Sequence, residues 1–187
     1  MLNRKNIIEF IIIFESIILS TLIQIYITIP DSNNIIRIIN IPISWLIPVI
    51  IILSIFFNTD LIYKAFTIYI LFSLFVINVF NDGGTLEYLT SNNFGYLLGI
   101  YPLIKCIDRF KNSKQKSLFI FFKYIFIGLI LMHVIGLIYL IIKLILINKS
   151  YSITYNIGKY TVSKLPLQLI MLCPVILLLK TLRKYKL

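Results

Sequence analysis

From Ser117 to Ile147 the chain is apolar almost without interruption, Lys123 and Lys143 being its only charged side chains. A helix rises about 1.5 Å per residue and needs about 20 apolar residues to cross a hydrocarbon core ~30 Å thick. A stretch of this length is expected to span a bilayer, and it does not stand alone. Five more apolar stretches are expected to cross: Asn6–Ile29, Ile43–Phe57 (short, interrupted by Pro48), Leu61–Phe80, Phe94–Ile107 (short, Gly-containing) and Lys164–Leu182. Six crossings use roughly 120 residues, which leaves little of a 187-residue chain for anything else. Composition agrees: 59% of residues are hydrophobic and 13% charged, with mean hydropathy +0.96. Soluble domains run near 45–50% and about 25%. A soluble enzyme on an anchor is excluded, and so is a disordered chain. The expected fold is all-α, a bundle of six transmembrane helices forming one integral-membrane domain over residues 1–187.

A net charge of +11 would suggest nucleic acid in a soluble protein. Here the basic residues form no continuous stripe; they sit in short blocks between apolar runs, as orientation signals do. Nucleic acid is therefore not an expected partner. Arg4, Lys5, Lys64, the 105–123 region and the tail from Lys180 to Lys186 carry most of the basic residues and belong on one side. Arg37, Lys149, Lys159 and Lys164 face the other, with Lys143 at the boundary. The positive side is cytoplasmic, so both termini are expected in the cytoplasm of a multi-pass cell-membrane protein. Loops 31–41, 81–93 and 148–163 face out. No cleavable signal peptide is expected, because the first apolar run is too long and lacks a small-residue cleavage site.

Several chemistries find no support. Cys106 and Cys173 lie in different spans without metal-type spacing, and both are expected to be buried free thiols. No metal site or cofactor is expected. The phosphate-binding pattern G-x-x-x-x-G-K-S/T does not occur, so any ATP hydrolysis must come from a partner. An intramembrane peptidase using Cys106 or Cys173 with His133 is the enzymatic alternative. Neither pairing brings the orienting carboxylate that such a nucleophile needs.

Polar residues inside apolar spans need a reason, since a charge at mid-bilayer costs about 2.5–3.5 kcal/mol on insertion scales. Glu9, Ser16, Ser20 and Gln24 fall on one side of the first span. Ser16 and Ser20 make a small-xxx-small pair that admits another helix closely. Packing within the bundle and docking of a separate membrane subunit both fit this seam, and Glu15 lies off it with no evident role. His133 shares a face with Gly136; it is either a hydrogen-bonded packing residue or part of a polar cavity. Gln168 follows Ser163, Lys164 and Pro166, a favourable helix start, and Pro174 should kink that helix further on. In the topology above, Gln168, Tyr96 and Asp82-Gly83-Gly84 gather at the outer end, where a loop-covered pocket could form.

Alanine occurs once, at Ala65, and lysine outnumbers arginine 14 to 4, so motifs usually written with Ala or Arg are expected in other residues here. With that allowance, Phe80-Asn81-Asp82-Gly83-Gly84 followed by Phe94-Gly95-Tyr96-Leu97-Leu98-Gly99 resembles the BioY family. These are biotin-binding S components of energy-coupling-factor (ECF) transporters. Ile41-Pro42-Ile43-Ser44-Trp45-Leu46, the 133–140 segment from His133 to Leu140, and Leu165-Pro166-Leu167-Gln168-Leu169 agree in order and spacing. The resemblance implies a six-helix S-component fold without enzymatic activity, with a vitamin pocket near the outer face. It implies ligand contacts from Ser44, Asp82, Gly83, Gly84, Tyr96, His133 and Gln168. It also implies a transmembrane coupling protein and two cytoplasmic ATPases as partners, with Ser16 and Ser20 standing where the family's small pair meets the coupling protein. Many members carry an Asp and a Lys where this chain has Gln168 and Met171. Gln can accept a hydrogen bond as Asp does, but without its charge. Biotin is the expected ligand, another small molecule on the same scaffold the alternative, and Lys164 or His133 the residues that could assist Gln168.

Overall fold

The computed structural model describes residues 4–23, 25–30, 36–41, 44–76, 79, 85–114, 117–147 and 153–184. Among them helices dominate: α1 (Arg4–Leu22), α2 (Leu46–Phe56), α3 (Thr59–Phe75), α4 (Phe94–Leu98), α5 (Ile100–Lys111), α6 (Leu118–Leu146), α7 (Ile153–Ile157) and α8 (Lys164–Lys184). A 3-10 turn covers Leu86–Thr90, and one turn of wider π-type helix, Gly158–Val162, joins α7 to α8. Two helical stretches, Leu118–Leu146 and Ile153–Leu178, are long and apolar enough to cross a membrane. The outward face of α6 is apolar from Phe122 through Ile130, Val134 and Ile138 to Ile142, all exposed. A face of that extent belongs against lipid rather than water.

The helix starts are written locally. Asn58 precedes α3 in extended conformation and its side-chain oxygen accepts from the Asp60 N–H at 3.0 Å. Ser117 does the same for α6 through the Ile120 N–H at 3.2 Å. Each satisfies one of the donors a first helical turn leaves open. Pro48 falls in the first turn of α2, where a missing N–H costs nothing. The expected interruption of the second span is therefore corrected: Pro48 helps to begin a shorter helix.

The first span is also shorter than the Asn6–Ile29 expected. Helix α1 stops at Leu22, and Ile25–Pro30 forms a strand, β1, antiparallel to β2 (Ile36–Ile41), with Ile25 opposite Ile41 and Pro30 opposite Ile36. Both segments are rich in isoleucine, which favours extended backbone. The helical architecture thus carries a two-stranded ribbon that the all-α reading did not include. Likewise the 148–163 loop is helical over its described part, in α7 and the turn after it.

The core lies where α1, α2, α3, α5 and α6 meet, with Ile13, Ile17, Ile50, Ile51, Ile62, Phe66, Ile104, Ile107 and Ile125 fully buried. Lipid is as apolar as this interior, so helix association in a bilayer depends on close packing. The α4–α5 segment runs antiparallel along α6, and its approach is set by small residues. A Cβ at Gly99 would stand 2.6 Å from the Met132 carbonyl oxygen, and one at Gly136 would enter the Tyr96 ring. Gly95 and Gly99 are four apart, the spacing that lets two helix backbones touch. At the far end Phe110 packs on Phe121, ring centroids 4.9 Å apart.

That far end is closed by charge. Asp108 accepts from the Thr59 hydroxyl at 2.7 Å and from Lys105 Nζ at 3.0 Å, and Lys111 donates to the Phe57 carbonyl at 2.7 Å. The Thr59 hydrogen bond, then Lys105, holds the Asp108 carboxyl below its ordinary pKa. These contacts bring the 57–60 turn and the end of α5 together, as their assignment to one side requires.

Candidate ligand-binding site

A cavity of about 120 Å³ opens between the starts of α2, α4 and α8 and the middle of α6. Its polar lining is Ser44, Tyr88, Asn93, Tyr96, Lys164 and Gln168; Leu46, Ile47, Leu97, Ile100 and Met132 supply the apolar wall. Three sequence-predicted residues, Ser44, Tyr96 and Gln168, therefore line one space. His133 lies behind that lining, 3% exposed. Its Nε2 is 2.9 Å from Gln168 Oε1, and its ring meets Tyr96 edge-on at 5.5 Å. With the amide in this orientation a neutral His133 donates from Nε2, and Nδ1 is a buried acceptor with no hydrogen-bond partner among the described residues. His133 thus sets the position of Gln168 and Tyr96 from beneath.

Each polar group is placed by its element. Ser44 precedes α2, where its Oγ accepts from the Leu46 N–H at 3.0 Å and contacts the Ser20 carbonyl at 3.4 Å. Tyr96 sits one residue after Gly95, so the close α4–α6 approach fixes its ring over Gly136. Its hydroxyl shares a 2.7 Å hydrogen bond with Thr161 in the π-type turn. Lys164 and Gln168 are one helical turn apart on α8 and face the same way. Lys164 Nζ donates to Asn93 Oδ1 at 3.2 Å and lies 5.1 Å over the Tyr160 ring, with Lys159 Nζ at 5.4 Å on the same ring.

Asn92 and Asn93 were not among the expected site residues. Asn92 accepts from Lys143 Nζ at 2.6 Å and donates to Asn156 Oδ1 at 3.0 Å, and Tyr139 donates to the Leu89 carbonyl. The segment before α4 is thereby fastened to α6, α7 and α8 at once. The available signal was two adjacent amides ahead of a helix, which sequence alone reads as a turn.

Other expectations meet different outcomes. Asp82, Gly83 and Gly84 lie outside the described residues, as does Gln24 of the first-span seam. The rest of that seam is not one surface. Ser20 is 2% exposed with its hydroxyl on the Ile17 carbonyl, Ser16 is half-buried, and Glu9 pairs with Lys5 at 3.8 Å. Cys106 is buried, but Cys173 is exposed on α8, which corrects the expectation of two buried thiols. His133 takes Gln168 rather than a thiol as the partner of its Nε2. No cluster of potential metal ligands occurs among the described residues.

Among the described residues the arrangement has the composition of a ligand pocket: apolar walls, a few convergent neutral polar groups and one lysine. No curated protein and no solved structure shows a significant match to the chain. The family model described as the BioY family matches residues 5–186, nearly the whole length. The chain belongs to the BioY family, whose members are not enzymes but S components, the membrane-embedded subunits for vitamin uptake in ECF transporters.

Proposed function

We propose that this chain is a biotin-binding S component: a single six-span domain over residues 1–187 in the cell membrane, both termini cytoplasmic. It captures its ligand at the outer face and delivers it with a transmembrane coupling protein and two cytoplasmic ATPases. The observation that carries the ligand reading is the cavity lining. Lys164 is its one charged side chain among the described residues, and Gln168, Tyr96, Ser44 and Asn93 are neutral. Such a lining suits a small monocarboxylate whose other polar groups are uncharged, and biotin has that chemistry. Lys164 and Asn93 would meet the carboxylate, while Gln168, oriented by His133, would accept from the ureido N–H groups in place of the family's Asp. Asp82, Gly83 and Gly84 are kept as ligand contacts on the family resemblance alone. At about 120 Å³ the cavity is below the ~300–1,000 Å³ of typical ligand sites, so binding has to displace lining side chains. The exchangeable Lys164–Asn93 contact is the one to yield.

Coupling is assigned to α1. Ser16 stands at the margin of its exposed face, while Ser20 packs inward against the segment leading to α2. Calorimetry of the purified chain with biotin tests the ligand: saturable one-to-one binding is expected. Heat with another vitamin and none with biotin would transfer the scaffold to that ligand. No heat with any vitamin would overturn the reading.

A further inference from the structure

Gln168 and His133 are both buried, and the bond between His133 Nε2 and Gln168 Oε1 makes them one unit at the cavity wall. An imidazole and an amide can meet in two ways. A protonated Nε2 donates to the amide oxygen, or a bare Nε2 accepts from the amide NH2. The second way puts the ring proton on Nδ1, which is buried and has no partner among the described residues. A buried N–H without an acceptor is a rarer arrangement than an acceptor left unused. The proton therefore belongs on Nε2, and Gln168 cannot turn its amide over without losing that bond. The His133 ring is itself held by Tyr96, which meets it edge-on.

An amide oxygen has two lone pairs, and His133 takes one of them. What Gln168 keeps for a ligand is one acceptor site and its N–H donors, side by side and without charge. No carboxylate lines the cavity among the described residues. We propose that the His133–Gln168 pair makes the site selective for a neutral urea and turns away the guanidinium form of the same ring, His133 being the positioning residue that fixes the amide. The proposal rests on the biotin-binding reading and adds to it the charge state of the ligand head that is accepted. A urea presents N–H and C=O on one edge, so both halves of the fixed amide find a partner. A guanidinium presents only donors. One of them would face the amide N–H, and its charge would enter an apolar-walled space with no anion to meet it.

Calorimetry of the purified chain compares biotin with 2-iminobiotin, whose ring carries a guanidinium at neutral pH. Wild type is expected to bind biotin about a hundredfold more tightly. Gln168→Glu keeps the shape and the His133 bond while supplying a charge, and should narrow that ratio about tenfold. His133→Phe keeps a ring against Tyr96 but frees the amide, so the ratio should narrow there too, biotin losing more than 2-iminobiotin. His133→Gln, with an N–H able to stand near the place of Nε2, should restore the ratio. A residue that serves packing alone would leave the ratio unmoved, and Gln168→Glu decides the matter even where His133→Phe does not fold. Equal affinity of wild type for the two ligands, or a ratio unchanged in Gln168→Glu, overturns the selectivity and leaves biotin binding standing. A ratio unchanged in a folded His133→Phe, or not restored by His133→Gln, overturns the positioning role. A wild-type chain that binds neither ligand, or 2-iminobiotin alone, overturns the biotin reading and this inference together.

Discussion

At the Asn93 end of the α4–α5 segment lysines are bonded to amides, whereas at the Lys111 end they are bonded to a carboxylate and a backbone carbonyl. Lys143 and Lys164 donate to Asn92 and Asn93; Lys105 donates to Asp108, and Lys111 to the Phe57 carbonyl. An amide oxygen shares a hydrogen bond with a lysine without cancelling its charge, and it gives way readily to an anion. A carboxylate held by both a lysine and a threonine is a settled pair. In these contacts the exchange end offers acceptors that an anion can replace, and the closed end a carboxylate already held by two donors, although the same two helices, α5 and α6, join them.

The largest effect should come from separating those helices, because both ends depend on their approach. Gly99→Val would drive side-chain atoms into the Met132 backbone. Overpacking of this kind costs about 1–3 kcal/mol, and more when a backbone must shift. We expect the top of that range or beyond, read as lost thermal stability in detergent together with lost ligand binding. Gly158→Ala, with open space around its Cβ, is the matched control and should change little.

Next in size, Gln168→Leu separates the exchange end from the rest. It strands His133 Nε2 in a buried site, a change worth about 1–3 kcal/mol, and biotin affinity should fall by at least tenfold. Unchanged affinity would move the binding site elsewhere. Lys164→Met should weaken biotin binding by about tenfold, or ~1.4 kcal/mol, while Lys105→Met at the closed end should leave it alone. Equal losses from both would erase the contrast between the ends.

The smallest effect belongs to Thr59→Val. Asp108 titrates below its ordinary value in the folded chain, chiefly through the Thr59 hydroxyl. A depressed folded pKa gives stability that is present above the unfolded value, near 3.9, and is lost as pH falls through the folded one. At this partly exposed site the loss at neutral pH should be about 0.5–1 kcal/mol. The variant's deficit should shrink in thermal melts as the pH is lowered through that window, with ligand binding untouched. A deficit that stays constant with pH would show that Thr59 acts by packing alone.

Much of this was legible in the chain, and the exceptions have physical causes. Ser117 and the long apolar run after it define α6 almost to the residue, because cap, length and hydropathy agree there. The end of α1 was not legible: Ile23 to Ile29 is equally apolar as helix or strand, and only pairing with 36–41 decides. Pro48 reads as a break until the helix start is known. At the site, Gln168 and Tyr96 could be gathered at one end by topology, and Ser44 was reached only through the family resemblance. The bond between His133 and Gln168 could not, since it depends on the rotation of two helices thirty-five positions apart in sequence. Asn93 was hidden for a similar reason, its partner Lys164 being far along the chain. The exposure of Glu15 likewise emerges only once the other helices have taken their places.

The glycines between α4–α5 and α6 have a mechanical consequence. Backbones in contact cannot shear without collision, so Tyr96, Leu97, Ile100 and Met132 form a fixed jaw. The opposing jaw is Lys164 and Gln168 on α8, tied across by one His133–Gln168 bond, one Tyr96–Thr161 bond and one Lys164–Asn93 bond. Widening on the α8 side therefore has to break those bonds, whereas the wall built on the glycine contacts of α4–α5 with α6 stays as it is.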